Sequence, residues 1–529
     1  MRRRHLLAQT AALPLLGCGL PAPELEGGYT GVTLERGHLL RERKDWPAPA
    51  QIRKTGVLIA GGGVAGLAAA RALRLRGVDD YALLELEDTA GGNARGGAVG
   101  GLPCPLGAHY LPVPGDAASE VQDLLEELGL RRRVAGRWVY EERHLCHSPQ
   151  ERLYFHDAWQ DGLLPLQDVG EATLAQYRRF AALVRGAQRE ATYTLPVRRG
   201  RAATAQLALD SQTFETWLRQ QGLDDVHLRW YLDYCCRDDF GAGLATVSAW
   251  AGIHYFASRH GFHAPGEAEA EREAVLTWPQ GNGWLSQRLA EPLGERLCTG
   301  RVVLRIAETR QGVEMDAWDS ATQSVERWQA ARCIVALPVF VAARVVEHPP
   351  DFLRRAAAHT RYAPWLVANL HLKDALLDRP GAAPSWDNVI YREQPGTSLG
   401  YVDAMHQSLR PVPGATVLSC YHALGDLPDG RQQLLAQPWT QWRDRIVAEL
   451  SLPHPELLQR ATRLEITRYG HAMAIPVPGT LARLQRLPLT PGRRAVLRAG
   501  RLSYAHSDWS GYSVFEEAFT QGHAAGRTA

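Results

Sequence analysis

The chain has 529 residues, and its 59 Lys and Arg against 57 Asp and Glu give a formal net charge of +2. This length predicts two or more domains, and a hydrophobic content of 45% with a charged content of 22% is that of an ordinary soluble globular protein. Because nucleic-acid binding needs a concentrated basic surface, the scattered arginines argue against a nucleic-acid partner.

The first 19 residues form a basic head followed by a short apolar segment. Three arginines (2–4) followed by leucines resemble a twin-arginine export signal, and residues 15–18 resemble a bacterial lipobox. The segment is too short to predict a membrane span. We therefore expect an exported protein, lipid-anchored through Cys18 on the periplasmic side of a bacterial membrane. The alternative is a frayed basic N-terminus on a cytoplasmic protein.

A strand and a helix follow a proline-containing stretch, residues 20–53, which we expect to be a linker or arm. The apolar run at 57–60 predicts a strand that is buried on both faces. The alanine- and leucine-rich run at 67–76 predicts a helix, and Gly77 is placed to end it. A strand followed closely by a helix is typical of the start of a dinucleotide-binding unit.

Three glycines join this strand to this helix at G-x-G-x-x-G spacing. Gly61 permits the turn, Gly63 lets the backbone approach a pyrophosphate, and Gly66 lets helix and strand pack closely. A second apolar run at 81–84 ends in Glu85, about 20 residues past the glycines, where the ribose-binding acid of the motif is expected. A glycine-rich turn in another kind of α/β protein is the alternative, and the placement of Glu85 argues against it.

The next residues carry a resemblance to a family. Gly91 and Gly92 lie just after Glu85, and this order of motifs resembles flavoprotein amine oxidases and phytoene-desaturase-like oxidoreductases. Where that family has Gly-Gly-Arg, this chain has Asn93, and an arginine follows two residues later. Residues 106–110 look like the family's next segment, where the backbone passes close to the flavin ring.

Residues 116–129 have the pattern of an amphipathic helix with Asp116 as N-cap. From about 131 to 270 the chain becomes rich in aromatic residues, and we expect helices at 213–221 and 224–239. The charged residues 237–239 are interpreted as the salt-bridged end of a structural helix in preference to a substrate-binding group.

The dinucleotide pattern then resumes. Residues 277–285 resemble the family's Pro-x-Gly-Gly segment, which precedes a helix at 285–293. A strand is expected at 302–306, where the resemblance implies that the backbone of Val303 contacts the adenine side. Another buried strand at 333–337 matches the family's return to the cofactor domain.

The last segment resembles the family's C-terminal flavin segment. A strand at 495–500 ends in Gly500, and a helix is expected over 510–526. The resemblance implies that this glycine meets the ribityl chain and that the helix N-terminus faces the flavin pyrimidine, where it stabilises negative charge. The acid that usually follows the glycine is absent, and we expect Asp508 to compensate from the loop.

These segments predict an α/β protein with a Rossmann-like FAD-binding domain of the glutathione-reductase type and an inserted α+β substrate domain. We expect the FAD-binding domain to comprise 54–130, 271–345 and 476–529, and the substrate domain 131–270 and 346–475. The predicted cofactor is FAD in an extended form, in preference to NAD. The residues predicted to bind it are Gly61, Gly63, Val64, Ala65, Gly66, Glu85, Leu86, Gly91, Gly92, Asn93, Gly107, Ala108, His109, Val303, Gly500, Asp508, Ser513 and Val514.

The candidate catalytic residues are His109 and Tyr110, and also His471, which a glycine and a following proline flank. A core histidine bonded to backbone is the alternative for each histidine. A flavin accepts a hydride from a carbon placed over N5, so the protein mainly supplies position, dryness and electrostatics. We expect an FAD-dependent oxidoreductase that takes a hydride from a small amine-like or unsaturated organic molecule. A flavin-dependent isomerase or desaturase that uses no oxygen, or a flavin-binding protein without turnover, is the alternative.

Two absences limit the chemistry. The family's amine oxidases carry a lysine near flavin N5, but the matching strand at 365–370 has none and Lys373 lies beyond it. This argues against oxygen-dependent amine oxidation and leaves dehydrogenation or desaturation open. The eight cysteines show no CxxC pair and no zinc spacing, so no metal site is predicted. Cys235 and Cys236 are adjacent, which favours two packed thiols over a disulfide.

Overall fold

The computed structural model describes residues 25–43, 45–259, 261–266, 274–394, 396–490 and 495–529. The predicted export signal and Cys18 lie outside the described residues. The strands, in chain order, are β1 (Glu26–Tyr29), β2 (Gln51–Lys54), β3 (Val57–Ala60), β4 (Tyr81–Leu84), β5 (Gly96–Val99), β6 (Leu102–Pro105), β7 (Tyr110–Pro112), β8 (Arg131–Val134), β9 (Arg137–Tyr140), β10 (Glu151–Phe155), β11 (Ala158–Asp161), β12 (Val275–Thr277), β13 (Leu297–Cys298), β14 (Arg301–Glu308), β15 (Val313–Asp319), β16 (Ser324–Ala330), β17 (Arg332–Val335), β18 (Arg361–Leu372), β19 (Asp387–Ile390), β20 (Ser398–Asp403), β21 (Thr416–Ala423), β22 (Ala461–Ile475), β23 (Leu497–Ala499) and β24 (Leu502–Tyr504).

The helices, in chain order, are α1 (Leu34–Glu42), α2 (Val64–Arg74), α3 (Ser119–Glu127), α4 (Glu171–Glu190), α5 (Thr204–Asp210), α6 (Phe214–Gln220), α7 (Val226–Phe240), α8 (Ala249–Ala257), α9 (Gly283–Ala290), α10 (Val339–Val345), α11 (Asp351–His359), α12 (Gly430–Ala436), α13 (Trp439–Leu450), α14 (Leu457–Arg460), α15 (Thr480–Leu484) and α16 (Phe515–Thr528). None of the described helices is long and apolar enough to cross a lipid bilayer.

A six-stranded sheet forms the centre of the cofactor half, in the order β13-β4-β3-β17-β24-β23. All neighbours pair in parallel except β23, which is antiparallel to β24. Every residue of β3 is buried, as predicted for a strand covered on both faces. Helix α2 begins at Val64, three residues before the predicted start, because the glycine motif itself forms the first turn.

Helix α16 packs against α2 beside this sheet, and two glycines allow the close approach. A Cβ on Gly522 would clash with the carbonyl oxygen of Ala65, and one on Gly526 with that of Ala69. The family-like C-terminal segment therefore reaches the glycine motif directly. This places the N-terminus of α16 at the same edge of the sheet as that of α2.

The segment 20–53 is paired with both halves of the molecule, so it is not a free linker over its described part. Strand β1 adds in parallel to β22 in the substrate half. Strand β2 adds in parallel to β16, in a four-stranded sheet of β14, β15, β16 and β2.

An eight-stranded mixed sheet forms the substrate half, in the order β1-β22-β18-β21-β20-β19-β10-β11. Helices α4 to α8 cover one face, where they share a large aromatic core with β18 and β21. Helices α12 and α13 cover the other face. The predicted helix at 213–221 is α6, whose Thr213 N-cap oxygen accepts the Thr216 N–H, and the one at 224–239 is α7.

Three local predictions need correction or comment. Asp116 is not an N-cap: it lies in a short 3-10 turn, and α3 begins at Ser119 without a side-chain cap. The strand expected at 495–500 is the antiparallel edge strand β23, and Gly500 lies in the tight turn that joins it to β24. Cys235 and Cys236 are free, buried thiols.

Candidate active site

A cavity of about 440 Å³ lies between the two halves, at the carboxyl ends of the parallel strands. In open α/β sheets this edge is where ligands bind. One end is lined by the glycine motif and by the residues that follow β4. The other end is lined by aromatic and charged side chains of the substrate half.

The glycine end is walled by backbone. Gly63, Val64 and Ala65 line the cavity where α2 begins, so the free N–H groups of its first turn open into the space. Gly63 and Gly92 face each other so closely that a Cβ on Gly92 would lie 3.1 Å from the Gly63 Cα. Gly66 does not line the cavity; its missing Cβ lets α2 pack against the carbonyl of Gly61. The structure thus places Gly63 at the cavity wall and Gly66 at the contact between helix and strand, and their roles in cofactor binding stay predictions.

Glu85 and Leu86 line the same end of the cavity, together with Val303 of β14. The Glu85 carboxylate accepts the Gly62 N–H at 2.7 Å and the Glu87 N–H at 2.9 Å. Burial raises the pKa of Glu85, although these two N–H groups act in the opposite direction. The predicted ribose acid is thus held in place by the turn that it follows.

Asn93 replaces the arginine of the resembled family at the cavity wall. Its side-chain amide donates to the Ala472 carbonyl at 2.7 Å, which links the Gly91–Gly92 turn to β22 of the substrate half. Arg95 is buried away from the cavity lining, where its Nε donates to the Gly92 carbonyl at 3.0 Å and its guanidinium pairs with Glu87 at 3.7 Å. Arg95 therefore stabilises the Gly91–Gly92 turn on the side that faces away from the cavity.

Gly107, Ala108 and His109 line the middle of the cavity. The Tyr421 hydroxyl donates to the Gly107 carbonyl at 3.1 Å, and the Tyr469 hydroxyl donates to the preceding carbonyl, of Leu106, at 2.9 Å. These bonds from β21 and β22 fix the backbone of a segment in which Gly107 packs against the Asn93 carbonyl.

His109 and Tyr110, two of the predicted catalytic residues, lie in one aromatic cluster. The His109 ring lies 4.4 Å from that of Tyr421 and 5.4 Å from that of Trp386, and Tyr110 meets Trp386 edge-on at 5.7 Å. Burial lowers the pKa of His109 to about 3, so its ring is neutral at physiological pH. We refer to His109, Tyr110, Trp386 and Tyr421 as the aromatic cluster.

His471, the third predicted catalytic residue, lines the cavity in a different cluster. Its ring stacks at 4.3 Å on Phe340 and meets Tyr362 edge-on at 5.5 Å. Burial lowers the pKa of His471 to about 4. The structure therefore does not bring His471 together with His109.

Asp508 lies beneath this second cluster and lines the cavity. Its carboxylate accepts the Tyr362 hydroxyl at 2.5 Å and the Val339 N–H at 2.9 Å, and it lies 3.1 Å from the His506 ring. Burial alone would raise the pKa of Asp508, but the His506 ring and these hydrogen bonds hold it below its ordinary value. Asp508 therefore carries a negative charge at the cavity wall.

The C-terminal residues of the prediction divide into two groups. Ser513 and Val514 line the cavity where α16 begins, and the Ser513 hydroxyl accepts the Ala474 N–H at 2.9 Å. Gly500 is not at the cavity: in its turn a Cβ would clash with the Glu308 carboxylate. The strand that runs parallel to the other cofactor strands is β24, and it leads to His506 and Asp508.

The prediction missed the charged residues at the substrate end. Asp238, Asp239 and Arg259 line the cavity there, although the motif at 237–239 was interpreted as structural. That interpretation fits Arg237, which pairs with Asp233 at 2.8 Å, and Asp239, which pairs with Arg259 and accepts the Tyr512 hydroxyl. The sequence feature that could have indicated Asp238 as a site residue is its position between Arg237 and Asp239 in a charged run.

Asp238 has an unusual environment. Burial raises the pKa of its carboxyl, and the neighbouring Asp239 raises it further, to about 7, against the opposing charges of Arg259 and Arg237. Burial also raises the pKa of nearby Asp387, followed by the charges of Asp238 and Glu151. The substrate end thus holds more carboxyl groups than it can easily keep ionised.

The sequence profile of the flavin-containing amine oxidoreductases matches residues 64–528. The chain belongs to this family. It is an FAD-dependent oxidoreductase, and its fold class agrees with the prediction: a Rossmann-like FAD-binding part with a substrate-binding part.

The following two relatives are among those similar to the chain. An L-amino acid dehydrogenase of Synechocystis is 30% identical over 142 residues, 27% of this chain and 28% of that protein, so the match spans less than a third of that relative. A Mycobacterium tuberculosis protein described as a flavin-containing monoamine oxidase is 26% identical over 66% of this chain and 74% of its own.

The solved structures share the fold. Putrescine oxidase bound to putrescine superposes with a TM-score of 0.65 at 18% identity, covering 90% of this chain and 99% of its own. Cyclohexylamine oxidase from Brevibacterium oxydans gives 0.63 at 18% identity over 90% and 98%. A conjugated-linoleic-acid-producing fatty acid isomerase from P. acnes gives 0.58 at 14% over 89% and 97%.

The residues present fit FAD. The cavity wall at Gly63 and Gly92 is main chain beside the N-terminus of α2, and a Cβ on Gly92 would lie 3.1 Å from the Gly63 Cα, so this wall suits a pyrophosphate. The Asn282 Oδ1 atom is buried at the cavity wall and has no hydrogen-bond partner among the described residues, while its Nδ2 donates to the Tyr110 carbonyl at 2.8 Å. Such an atom needs a hydrogen bond from a ligand or from water.

Proposed function

We propose that the protein dehydrogenates a small amine that binds as a cation at the substrate end of the cavity. One observation carries this proposal: the Asp238 carboxyl lines the same cavity as His109, Tyr110 and Tyr421 of the aromatic cluster. An ammonium group is stabilised both by a carboxylate and by the faces of aromatic rings. Tyr421 connects the two features, since it stacks on His109 and its hydroxyl lies within the field of Asp238.

The pairing of Arg259 favours an amine over an amino acid. Its two Nη atoms contact the Asp239 carboxylate at 3.2 and 3.3 Å, so this guanidinium is already engaged. A substrate carboxylate would have to compete with Asp239 and would approach the carboxyl of Asp238. The charge arrangement therefore favours a substrate that brings a positive charge.

FAD, when bound, supplies a hydride acceptor for the carbon next to the amine nitrogen. The chain's own residues hold that carbon in place and exclude water with the aromatic cluster. The Asp238 carboxylate pairs with the ammonium and takes one proton from its nitrogen, which leaves the neutral amine that can lose a hydride. A pKa of about 7 suits this transfer, because the group is partly ionised near neutral pH.

The lysine content supports an electron acceptor other than oxygen. Among the described residues that line the cavity, none is a lysine. The strands β18, β21 and β22 contribute Trp365, Tyr421 and Tyr469 to the lining. The resembled oxidases carry a lysine near flavin N5. We therefore propose a dehydrogenase that passes its electrons to a separate acceptor.

The decisive experiment isolates the protein in its native state, records the flavin absorbance, and then adds donors anaerobically. We expect a small primary amine to bleach the flavin, while the amino acid with the same side chain bleaches it at least tenfold more slowly. Bleaching by the amino acid alone would overturn the choice of substrate class. Product formation from an unsaturated acid without acceptor consumption would select the isomerase alternative, and a flavin that no donor reduces would indicate a binding protein.

A further inference from the structure

A second cavity, of about 360 Å³, lies in the substrate half, apart from the one described above. It opens where two neighbouring strands of the eight-stranded sheet separate. Strands β19 and β20 pair only at Asp387–Val402 and Asn388–Tyr401, whereas β19 continues beside β10 through Ile390. Gly400, at a φ of +84°, marks the point of separation, and a Cβ there would clash with the Asn388 carbonyl.

We refer to this second cavity, between the diverging strands β19 and β20, as the fork. Three arginines line it: Arg237 of α7, Arg392 just after β19, and Arg445 of α13. Arg237 is 5% exposed and anchors one side, because its Nη1 donates at 3.0 Å to the carbonyls of both Gly396 and Ser398. Arg392 and Arg445 are exposed at the mouth. The structure shows no carboxylate within ion-pair distance of Arg392 or Arg445, among the residues that it describes.

The charge balance at the fork is positive. Glu449, 8% exposed, is the acidic residue among the lining side chains, against three guanidinium groups. His422 lies beside the cavity, with its Nδ1 atom 3.1 Å from the Thr397 hydroxyl. Burial lowers the pKa of His422; the charge of Glu449 raises it, and the charges of Arg445, Arg392 and Arg237 lower it, so all three arginines lie near this histidine.

We propose that this fork binds a small oxyanion, a phosphate or a carboxylate group, between Arg392 and Arg445. Guanidinium groups present paired N–H donors that match such anions bidentately. Trp230 and Tyr234, whose rings stack at 5.9 Å, form an apolar wall for the organic part of the ligand. The site is independent of the flavin cavity, although α7 contributes Arg237 to one and Asp238 to the other.

The test measures binding of inorganic phosphate and of citrate to the flavin-loaded protein by calorimetry and by thermal shift, at constant ionic strength. The double variant Arg392→Ala/Arg445→Ala removes the two exposed arginines. Arg443→Ala is the matched control, because Arg443 lies on the same helix, pairs with Asp444 and does not line the fork. We expect the parent and the control to bind, and the double variant to lose at least tenfold in affinity.

The two probes also identify the ligand chemistry. Binding of phosphate alone supports a phosphate ester, binding of citrate alone supports a carboxylate, and binding of both supports an oxyanion site of low selectivity. If neither anion binds, or if the double variant binds as tightly as the control, the proposal is wrong. Since both removed side chains are exposed, unchanged flavin content and an unchanged melting temperature without anion verify that the double variant is folded.

Discussion

The two ends of the flavin cavity are built on opposite principles. At the cofactor end the walls are main chain: a Cβ on Gly61 or Gly66 would clash with a backbone carbonyl, and one on Gly92 would lie 3.1 Å from the Gly63 Cα. At the substrate end the walls are side chains, and the rings of His109, Tyr110 and Tyr421 and the carboxyl of Asp238 make the surface. The cofactor end therefore depends on glycines that have no side chain, and the substrate end depends on the side chains that are present.

This difference predicts different kinds of failure. Adding atoms at the cofactor end disturbs packing, so it costs both stability and cofactor affinity. Removing a group that faces the substrate leaves the fold and the cofactor in place and changes the kinetics with the substrate. The following substitutions separate these two behaviours.

Gly66→Ala has the largest expected effect. Its Cβ would clash with the Gly61 carbonyl, which belongs to the rigid strand-turn junction and cannot move away cheaply. We expect a loss of several kcal/mol of stability, on the order of other overpacked core sites, and little or no bound flavin. Chemical denaturation and the ratio of flavin to protein absorbance measure both.

Gly77→Ala is the control for this substitution. Gly77 has a φ of +71° but nothing within 4 Å of the position that a Cβ would take. Its cost is limited to the left-handed backbone, about 1 kcal/mol, and its flavin content stays normal. Equal damage by the two substitutions would contradict the close-packing explanation for Gly66, which lies within α2 and has no left-handed backbone.

Asp238→Asn has the next largest effect, at the opposite end. We expect KM for the amine to rise by roughly 10- to 100-fold, the loss of a charge-assisted hydrogen bond, with unchanged flavin content. Steady-state kinetics with an artificial acceptor provide the measurement. Asp426→Asn is a suitable control, since Asp426 accepts the Gly243 N–H at 2.6 Å but does not line the cavity. A rise in KM with the control as well would contradict the assignment.

The pH dependence tests the same carboxyl. Because burial and Asp239 raise the pKa of Asp238 to about 7, the group is protonated below that pH and ionised above it. KM for the amine is therefore expected to fall as pH rises from 6 to 8, and this trend should vanish in Asp238→Asn. Asp239, Arg259 and Arg237 surround the group and Asp387 lies near it; since arginines do not titrate in this range, a persisting trend would assign the titration to another carboxyl group, such as Asp387.

The cofactor end was predictable because its signals are local. The three glycines, Glu85 and the Gly91–Gly92 turn lie within some 30 residues and act through backbone geometry that spacing alone specifies. Gly500 was misplaced because β23 and β24 are both strands of 3 residues close together in sequence, and only the pairing of β24 with β17 selects the strand that leads to the cavity.

The substrate end was not predictable, because no local pattern joins its parts. Asp238, Tyr421 and Trp386 come from α7, β21 and the residue before β19, and only the eight-stranded sheet brings them together. Asp238 was visible in sequence as part of a charged run. That run looked structural because two of its members, Arg237 and Asp239, do form ion pairs.

Tyr421→Phe probes a residue that serves both ends. Loss of the hydroxyl leaves the Gly107 carbonyl without its 3.1 Å partner but keeps the ring against His109. We expect flavin affinity to fall by about 1 kcal/mol, roughly fivefold, while KM for the amine is unchanged. Tyr401→Phe is the control, because its hydroxyl bonds His454 at 2.7 Å, away from the cavity. Equilibrium dialysis of the flavin distinguishes the two variants.

Asn93→Ala is expected to have the smallest effect, and it tests where the two ends meet. The amide bond from Asn93 to the Ala472 carbonyl, 2.7 Å long, joins the glycine turn to β22, but Asn93 is exposed to the cavity. Water can replace the lost donor there, so the net cost should stay below about 1 kcal/mol. We expect flavin affinity to change less than fivefold, measured by the same dialysis. A larger loss would mean that Asn93 contacts the flavin directly. The cofactor end would then be formed by a side chain as well as by main chain.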